Sequence, residues 1–394
     1  PSLGAPRIFG NALVVSQIAL SFVLVTGATL LGQSLLNLMG AHLGFDREYI
    51  VTAVLDPQSA GISPQRLPAL YAQLIYRIKS EPDVRDAAIS LSSIAGGGEQ
   101  SSGIHVPGYV PQPSERPGTK ENLISPGYFT IMGMRLIRGR DFNERDTAGA
   151  APVAIINEAF ARRYFADRNP LGRNFGYSLG HSGFEIVGIV ADAKTRNPRE
   201  SAQPMAYRPL NQEMQFARSL EVRAEGDPRP LIPRLRKIIA EVAPGLPVIE
   251  VATLSDRIER TITRERLLSQ ITGFFACLAL LLACVGVYGL VSYRVARRTI
   301  EFGIRIALGA TRKDVVWTAL AESLLLLGIG LAVGVGLSLA GTQLIQSLVF
   351  GLRANATLIF ILAGLFTTAV ALLSAAWPAS RATRIDPNVA LRHE

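Results

Sequence analysis

Four long stretches without a charged side chain limit how this chain can fold. No Asp, Glu, Lys or Arg occurs between Arg7 and Asp46, between Arg266 and Arg294, between Glu322 and Arg353, or between Arg353 and Arg381. A helix needs about 20 mostly apolar residues to cross a hydrocarbon core of roughly 30 Å. A soluble protein can bury one such helix in its core, but four in one chain call for lipid. The expected spans are one within residues 1–41, then about 268–293, 315–348 and 357–379. The expected fold class is a polytopic α-helical membrane protein with four transmembrane helices. A large two-lobed α/β extracytoplasmic domain, residues 42–266, lies between helices 1 and 2.

Composition averages two unlike parts. Hydrophobic residues make up 48% and charged residues 18%, yet residues 42–266 carry scattered charge and most of the prolines. That segment is long enough to bury its own core.

Basic residues set the orientation, because Lys and Arg in short loops stay in the cytoplasm. The loop between spans two and three holds Arg294, Arg297, Arg298, Arg305, Arg312 and Lys313 against Glu301. Arg7 precedes span one, and Arg381, Arg384 and Arg392 follow span four, whereas the loop between spans three and four offers Arg353. The basic ends share one side, so the large domain is expected outside. These arginines account for much of the +9 net charge, and no nucleic-acid partner is needed to explain it. As one helix, Gly10 to Ala41 is about 47 Å long, so it is expected to project from the bilayer as a stalk. It is too long for a cleavable signal peptide. Pro1 in place of Met fits a fragment or one half of a longer protein.

The outer segment alternates strand and helix signals. Ile50–Leu55 reads as a strand, Ser63–Ser80 as a helix, and Ala87–Leu91 as a strand. Residues 95–120, rich in Gly, Pro and Ser, read as a long mobile loop. Further strands are expected at Ala151–Asn157, Phe184–Val190, Ser219–Val222 and Pro247–Val251. Helices are expected at Glu158–Phe165, Pro230–Val242 and Leu254–Thr261.

Catalytic chemistry has little to stand on. No G-x-x-x-x-G-K-[ST] phosphate loop occurs, so the chain is not expected to bind ATP in the usual P-loop way. His42, His105, His181 and His393 lack metal-ligand spacing. Gly96-Gly97-Gly98 reads as flexible loop rather than a phosphate cradle. Cys277 and Cys284 sit seven residues apart on one helix, about 10 Å, too far for a mutual disulfide. No catalytic residue, metal or cofactor is expected. The charge-free runs also lack the ionisable groups that ion-coupled transport places in the membrane.

Two patterns stand out. In span three Gly330, Gly334 and Ser338 repeat every four residues, as do Gly328, Ala332, Gly336 and Ala340. Small residues at this spacing let helix backbones approach closely. Between spans two and three, residues 296–309 read as a short amphipathic helix, with Ile300, Ile304, Ala307 and Leu308 on one face. Arg297, Glu301 and Arg305 stand at i, i+4 and i+8 on another, so the glutamate can pair with both arginines. Gly309 is a stop signal, and Thr311 with Asp314 opens the next helix as a capping box. The helix either rests on anionic lipid or docks a cytoplasmic partner.

The segment Arg297 to Asp314 closely resembles the signature of FtsX-like ABC transporter permeases, a group that includes MacB-type exporters and lipoprotein-release permeases. Ile124–Phe142, Val153–Phe165, Pro170–Arg173 and Glu185–Val190 resemble a MacB-like periplasmic core, and Pro378–Arg392 is similar to the family's tail. The duplicated permeases of acidobacteria, with two such halves in one chain, are the nearest likeness. The resemblance implies a non-catalytic permease subunit in the bacterial inner membrane. An ABC ATPase supplied in trans would drive periplasmic conformational change, for export, efflux or mechanotransmission. It implies a homodimer or a paired second half, and a possible periplasmic adaptor. Arg297, Glu301, Phe302, Arg305, Leu308 and Gly309 would form the ATPase-coupling helix, and Gly330, Gly334 and Ser338 a packing face. The alternative is a membrane scaffold relaying ATPase motion to a periplasmic enzyme such as a cell-wall hydrolase.

Overall fold

The computed structural model describes residues 5–95, 100–166, 168–177, 183–196, 198–199, 201–298, 301, 311–345 and 356–381. These form two compact units, a helical one from residues 1–40 and 263–394, and an α/β one from residues 41–262.

Four helices in the first unit are long and apolar enough to span a membrane. They are α1 (Ala5–Met39), α7 (Thr263–Arg297), α8 (Arg312–Ile345) and α9 (Ala356–Arg381). Their outward faces carry large apolar side chains such as Phe274, Leu281, Leu325 and Phe366, as lipid contact requires. Helix α1 packs against all three others.

The second unit holds an eleven-stranded sheet whose main path runs β11-β1-β10-β2-β4-β9-β6-β8-β5. One half is built from the two ends of the segment. Strands β1 (Ile50–Leu55) and β2 (Val84–Ser90) flank α2 (Leu67–Lys79), and β10 (Ser219–Ala224) and β11 (Val248–Thr253) flank α5 (Leu231–Val242). All three pairings among these strands are antiparallel. Alternation along β1 shows why this half is stable. Val51, Ala53 and Leu55 join the core that includes Leu74 and Ile78 of α2 and Leu235 and Ile239 of α5. Ile50 points to the opposite face, into a second core with Leu254 and Ile258 of α6 (Leu254–Thr261).

The other half contains β3 (Gln100–Gly103), β4 (Gly118–Ile124), β5 (Leu136–Gly139), β6 (Val153–Asn157), β7 (Asn174–Phe175), β8 (Phe184–Val190) and β9 (Met205–Pro209). Helices α3 (Tyr128–Met132) and α4 (Glu158–Phe165) belong to it. Asn157 starts α4 by accepting from the Phe160 amide at 3.0 Å, and it donates to the Gln203 carbonyl at 2.8 Å. Phe160, Tyr164 and Phe165 of α4 then pack with Phe175 and Ile186. The two lobes share one registered strand pair, Ser90 with Ile124.

Residues 95–120 differ from the sequence expectation. Gln100–Gly103 pairs antiparallel with Gly118–Lys120 and Glu121, and Ile104 and Val106 are buried. The glycines and prolines of this stretch bracket a strand whose polar residues give no alternating signal. Gly96–Gly98, His181 and His393 lie outside the described residues.

Candidate functional site

Helix α1 is the axis of the membrane unit, and its neighbours touch it through small residues. Along α7 the contact is antiparallel. An ideal Cβ on Gly10 would stand 4.0 Å from Leu290, one on Gly27 3.8 Å from Thr272, and one on Gly32 3.9 Å from Ser269. Between them Ser21 Oγ donates to the Ala279 carbonyl at 2.9 Å. Gly286 leaves the space that Gln17 Oε1 occupies, for a Cβ there would lie only 2.1 Å from that oxygen. At the basic end Arg294 Nη2 donates to Asn11 Oδ1 at 2.7 Å.

Along α8 the contact with α1 is parallel and tighter. A Cβ on Gly330 would come within 2.8 Å of Ile18 Cγ2 and 3.2 Å of the Val15 carbonyl. A Cβ on Gly334 would meet Phe22 Cδ1 at 3.0 Å and the Ala19 carbonyl at 3.1 Å. Ser338 is buried one turn further on. The other small-residue row behaves differently, for Gly328 and Gly336 have nothing within 4 Å. Phe22 joins the four helices. It is fully buried in a cluster with Ala276 of α7 and Ala363 of α9, and its ring lies 3.6 Å from a Cβ built on Gly364.

The coupling segment is described at its start. Helix α7 ends at Arg297, whose guanidinium lies over the Tyr293 ring, 5.6 Å from its centroid. Glu301 Oε2 stands 3.7 Å from Arg298 Nε. The described ion pair therefore uses the arginine three residues before Glu301, not the one four before. Phe302, Arg305, Leu308 and Gly309 lie outside the described residues, as do Ile300 and Ile304.

A third cluster, unmarked in the sequence, sits where the outer domain hands the chain to α7. On β10 Leu220 and Val222 face the apolar core, so Ser219 and Glu221 face the other way. Cross-strand register places Glu221 opposite Thr52 of β1, and Ser219 opposite Ser90 of β2. Arg257 of α6 covers this polar face. Its Nη1 donates to Thr52 Oγ1 at 3.1 Å and to Ser93 Oγ at 3.0 Å, while its Nε stands 3.7 Å from Glu250 of β11. Glu221 accepts from Ser90 Oγ at 2.8 Å and from Ser219 Oγ. Burial pushes the Glu221 carboxyl up to about 7, despite those hydrogen bonds and the Arg257 charge. Arg260 of α6 also pairs with Glu250. Helix α6, which ends two residues before α7 begins, is thus pinned to β1, β11 and the segment that follows β2.

Several known proteins resemble this chain. The MacB-like periplasmic core domain matches residues 12–257, and the FtsX-like permease C-terminal domain matches residues 273–387. The macrolide export ATP-binding/permease protein MacB of Bdellovibrio bacteriovorus is 24% identical over 287 residues, covering 69% of this chain and 43% of that protein. The ABC transporter permease YknZ of Bacillus subtilis is 26% identical over 281 residues, covering 69% of this chain and 70% of that one. The crystal structure of the periplasmic region of MacB from Actinobacillus actinomycetemcomitans aligns with 55% of this chain and 92% of its own, at 15% identity and a TM-score of 0.39. The chain spans less than half the length of the MacB relative. With one family covering the outer domain and the other the membrane helices that follow, this chain belongs to the family of FtsX-like permeases with a MacB-like periplasmic core domain.

Proposed function

We propose that this chain is the permease subunit of an ABC transporter, coupling ATP hydrolysis by a separate ATPase to conformational change in the periplasm. It is a bacterial inner-membrane protein with its α/β domain on the periplasmic side. In this reading it carries no catalytic group of its own and acts as a mechanical relay for export.

The observation that carries the proposal is α7. It is one helix from Thr263, just after α6, to Arg297 at the coupling segment. Its 35 residues give a rod of about 52 Å, well beyond the roughly 30 Å hydrocarbon core. In this reading α7 carries displacement from its cytoplasmic end toward Ile262, the residue that joins it to α6. The cavity among Val14, Ile18, Val287, Leu327 and Ala371 holds about 10 Å³, at the lower limit for one water.

The ATPase would be held by Arg297, Glu301, Phe302, Arg305 and Leu308, with Gly309 ending the helix. Glu301→Lys combined with Leu308→Asp tests this. Ion pairs on an exposed helix are worth about 0.2–0.5 kcal/mol each, so folding should survive. Pull-down of the cognate ATPase and permease-stimulated ATP hydrolysis should both be lost. A double variant that expresses, binds and stimulates normally sinks the coupling assignment.

A further inference from the structure

The outer domain contains a cleft of about 480 Å³ at the joint between its two lobes. That volume suits a small organic ligand, and such sites favour the junctions of structural units. The floor is apolar, made by Leu67 at the start of α2, Leu91 just after β2, and Met214 and Phe216 in the connection from β9 to β10. Gln58 and Gln100, one from each lobe, bring exposed side-chain amides to the rim.

Among the described lining residues one side chain is charged, and it is Arg218. Its carboxylate neighbour Asp56 stands off at 3.9 Å. Ser59 already engages Asp56, with its hydroxyl donating at 2.6 Å and its amide at 3.2 Å. Among the described lining residues there is no carboxylate. An apolar floor, amide groups on the rim and one loosely held guanidinium together select an apolar chain ended by a carboxylate and a hydrogen-bonding linkage.

We propose that this inter-lobe cleft is a binding site for an amphipathic monoanion, such as an N-acyl amino acid. The guanidinium would take the carboxylate in a charge-assisted pair, the glutamines the amide, and Leu67, Leu91, Met214 and Phe216 the acyl chain. The lobes also meet at the pair Ser90–Ile124, beside Leu91, and share the core that holds Ile50, Ala88, Ile124 and Phe129.

The test uses the full chain in lipid nanodiscs, with N-octanoylglycine as probe and protein-free discs as the partition control. Calorimetry should show saturable binding with a Kd on the order of 0.1 mM. Hydrogen exchange should slow in residues 214–218 and around Leu67. Arg218→Gln and Gln100→Glu, both at exposed positions, should each weaken binding roughly tenfold or more. The neutral N-octanoylglycinamide should bind as weakly. Absence of saturable binding, equal binding of the neutral amide, or unchanged binding by both variants overturns the proposal. No ATPase is present in this assay, so its failure leaves the coupling reading standing, and loss of coupling leaves the cleft standing.

Discussion

Gly334 and Gly336 lie on one helix, two residues apart, and the structure gives them opposite surroundings. A leucine at either position gains the same helix propensity over glycine, about 0.8 kcal/mol, so the difference between the variants isolates packing. At Gly336 the added Cβ meets nothing within 4 Å, and the leucine faces outward. At Gly334 the Cβ alone would stand 3.0 Å from Phe22 Cδ1 and 3.1 Å from the Ala19 carbonyl. Carbon atoms prefer separations of about 3.5–4.0 Å, so α1 and α8 must part by roughly half an ångström before the rest of the side chain is accommodated. Phe22 cannot yield, because it is fully buried among residues of the other helices. Overpacking of this kind costs about 1–3 kcal/mol, and a full leucine belongs in the upper half of that range. The two variants should therefore differ by about 2–3 kcal/mol, roughly 30- to 150-fold in the folding constant. Reversible unfolding of the full chain in mixed micelles titrated with SDS, at one protein per micelle, measures this. Equal stabilities, or Gly336→Leu as the weaker variant, would refute the α1–α8 packing face.

Three further outcomes follow from the same geometry. The Glu221 carboxyl is raised from the ordinary 4.5 to about 7. Between those values the folded protein holds a proton the unfolded chain has released, so stability should fall by about 3 kcal/mol as pH rises through that window. Glu221→Gln should flatten this part of the pH profile of thermal unfolding, and an unchanged slope would show that Glu221 is not its source. Ser21→Ala removes the hydrogen bond to the Ala279 carbonyl and should cost about 0.6 kcal/mol in the same SDS titration, whereas a loss several times larger would mean that Ser21 does more than close that bond. In a chain with Cys277 and Cys284 replaced by Ser, Glu200→Cys should react with an impermeant thiol reagent in spheroplasts and Arg312→Cys should not, the reverse pattern overturning the orientation.

The membrane spans were legible because a helix that crosses lipid needs about 20 mostly apolar residues in a row, a pattern read directly from the chain. The mixed α/β character of the outer domain was legible too, since β1, α4, β8 and α6 carry strong local periodicity. Strand β3 was hidden because Gln100-Ser101-Ser102-Gly103 shows no apolar alternation and holds its place by pairing with β4. The charged start of β2, Arg85-Asp86, hid three residues of that strand in the same way. Strand order depends on pairings such as β2 with β10, about 130 residues apart, which no local pattern encodes. In α8 the two small-residue rows are equivalent as sequence, and only the placement of Ile18 and Phe22 distinguishes them. Arg257 and Glu221 are 36 positions apart on different elements. Neither spacing nor residue type announces that they are buried on one face of the sheet.

The chain is nested. The second lobe, from β3 to β9, interrupts the first between β2 and β10, and the whole outer domain interrupts the helical bundle between α1 and α7. Each inner unit can close before the one that encloses it. The 223 residues from Gly40 to Ile262 separate the bundle's axis from its first partner. At ribosomal speeds of about 5–20 residues per second, α1 waits in the membrane for roughly 11–45 s. Throughout that interval Ser21 lacks the Ala279 carbonyl and Phe22 lacks the pocket formed by the other three helices. A newly made α1 is therefore a sticky, half-finished surface.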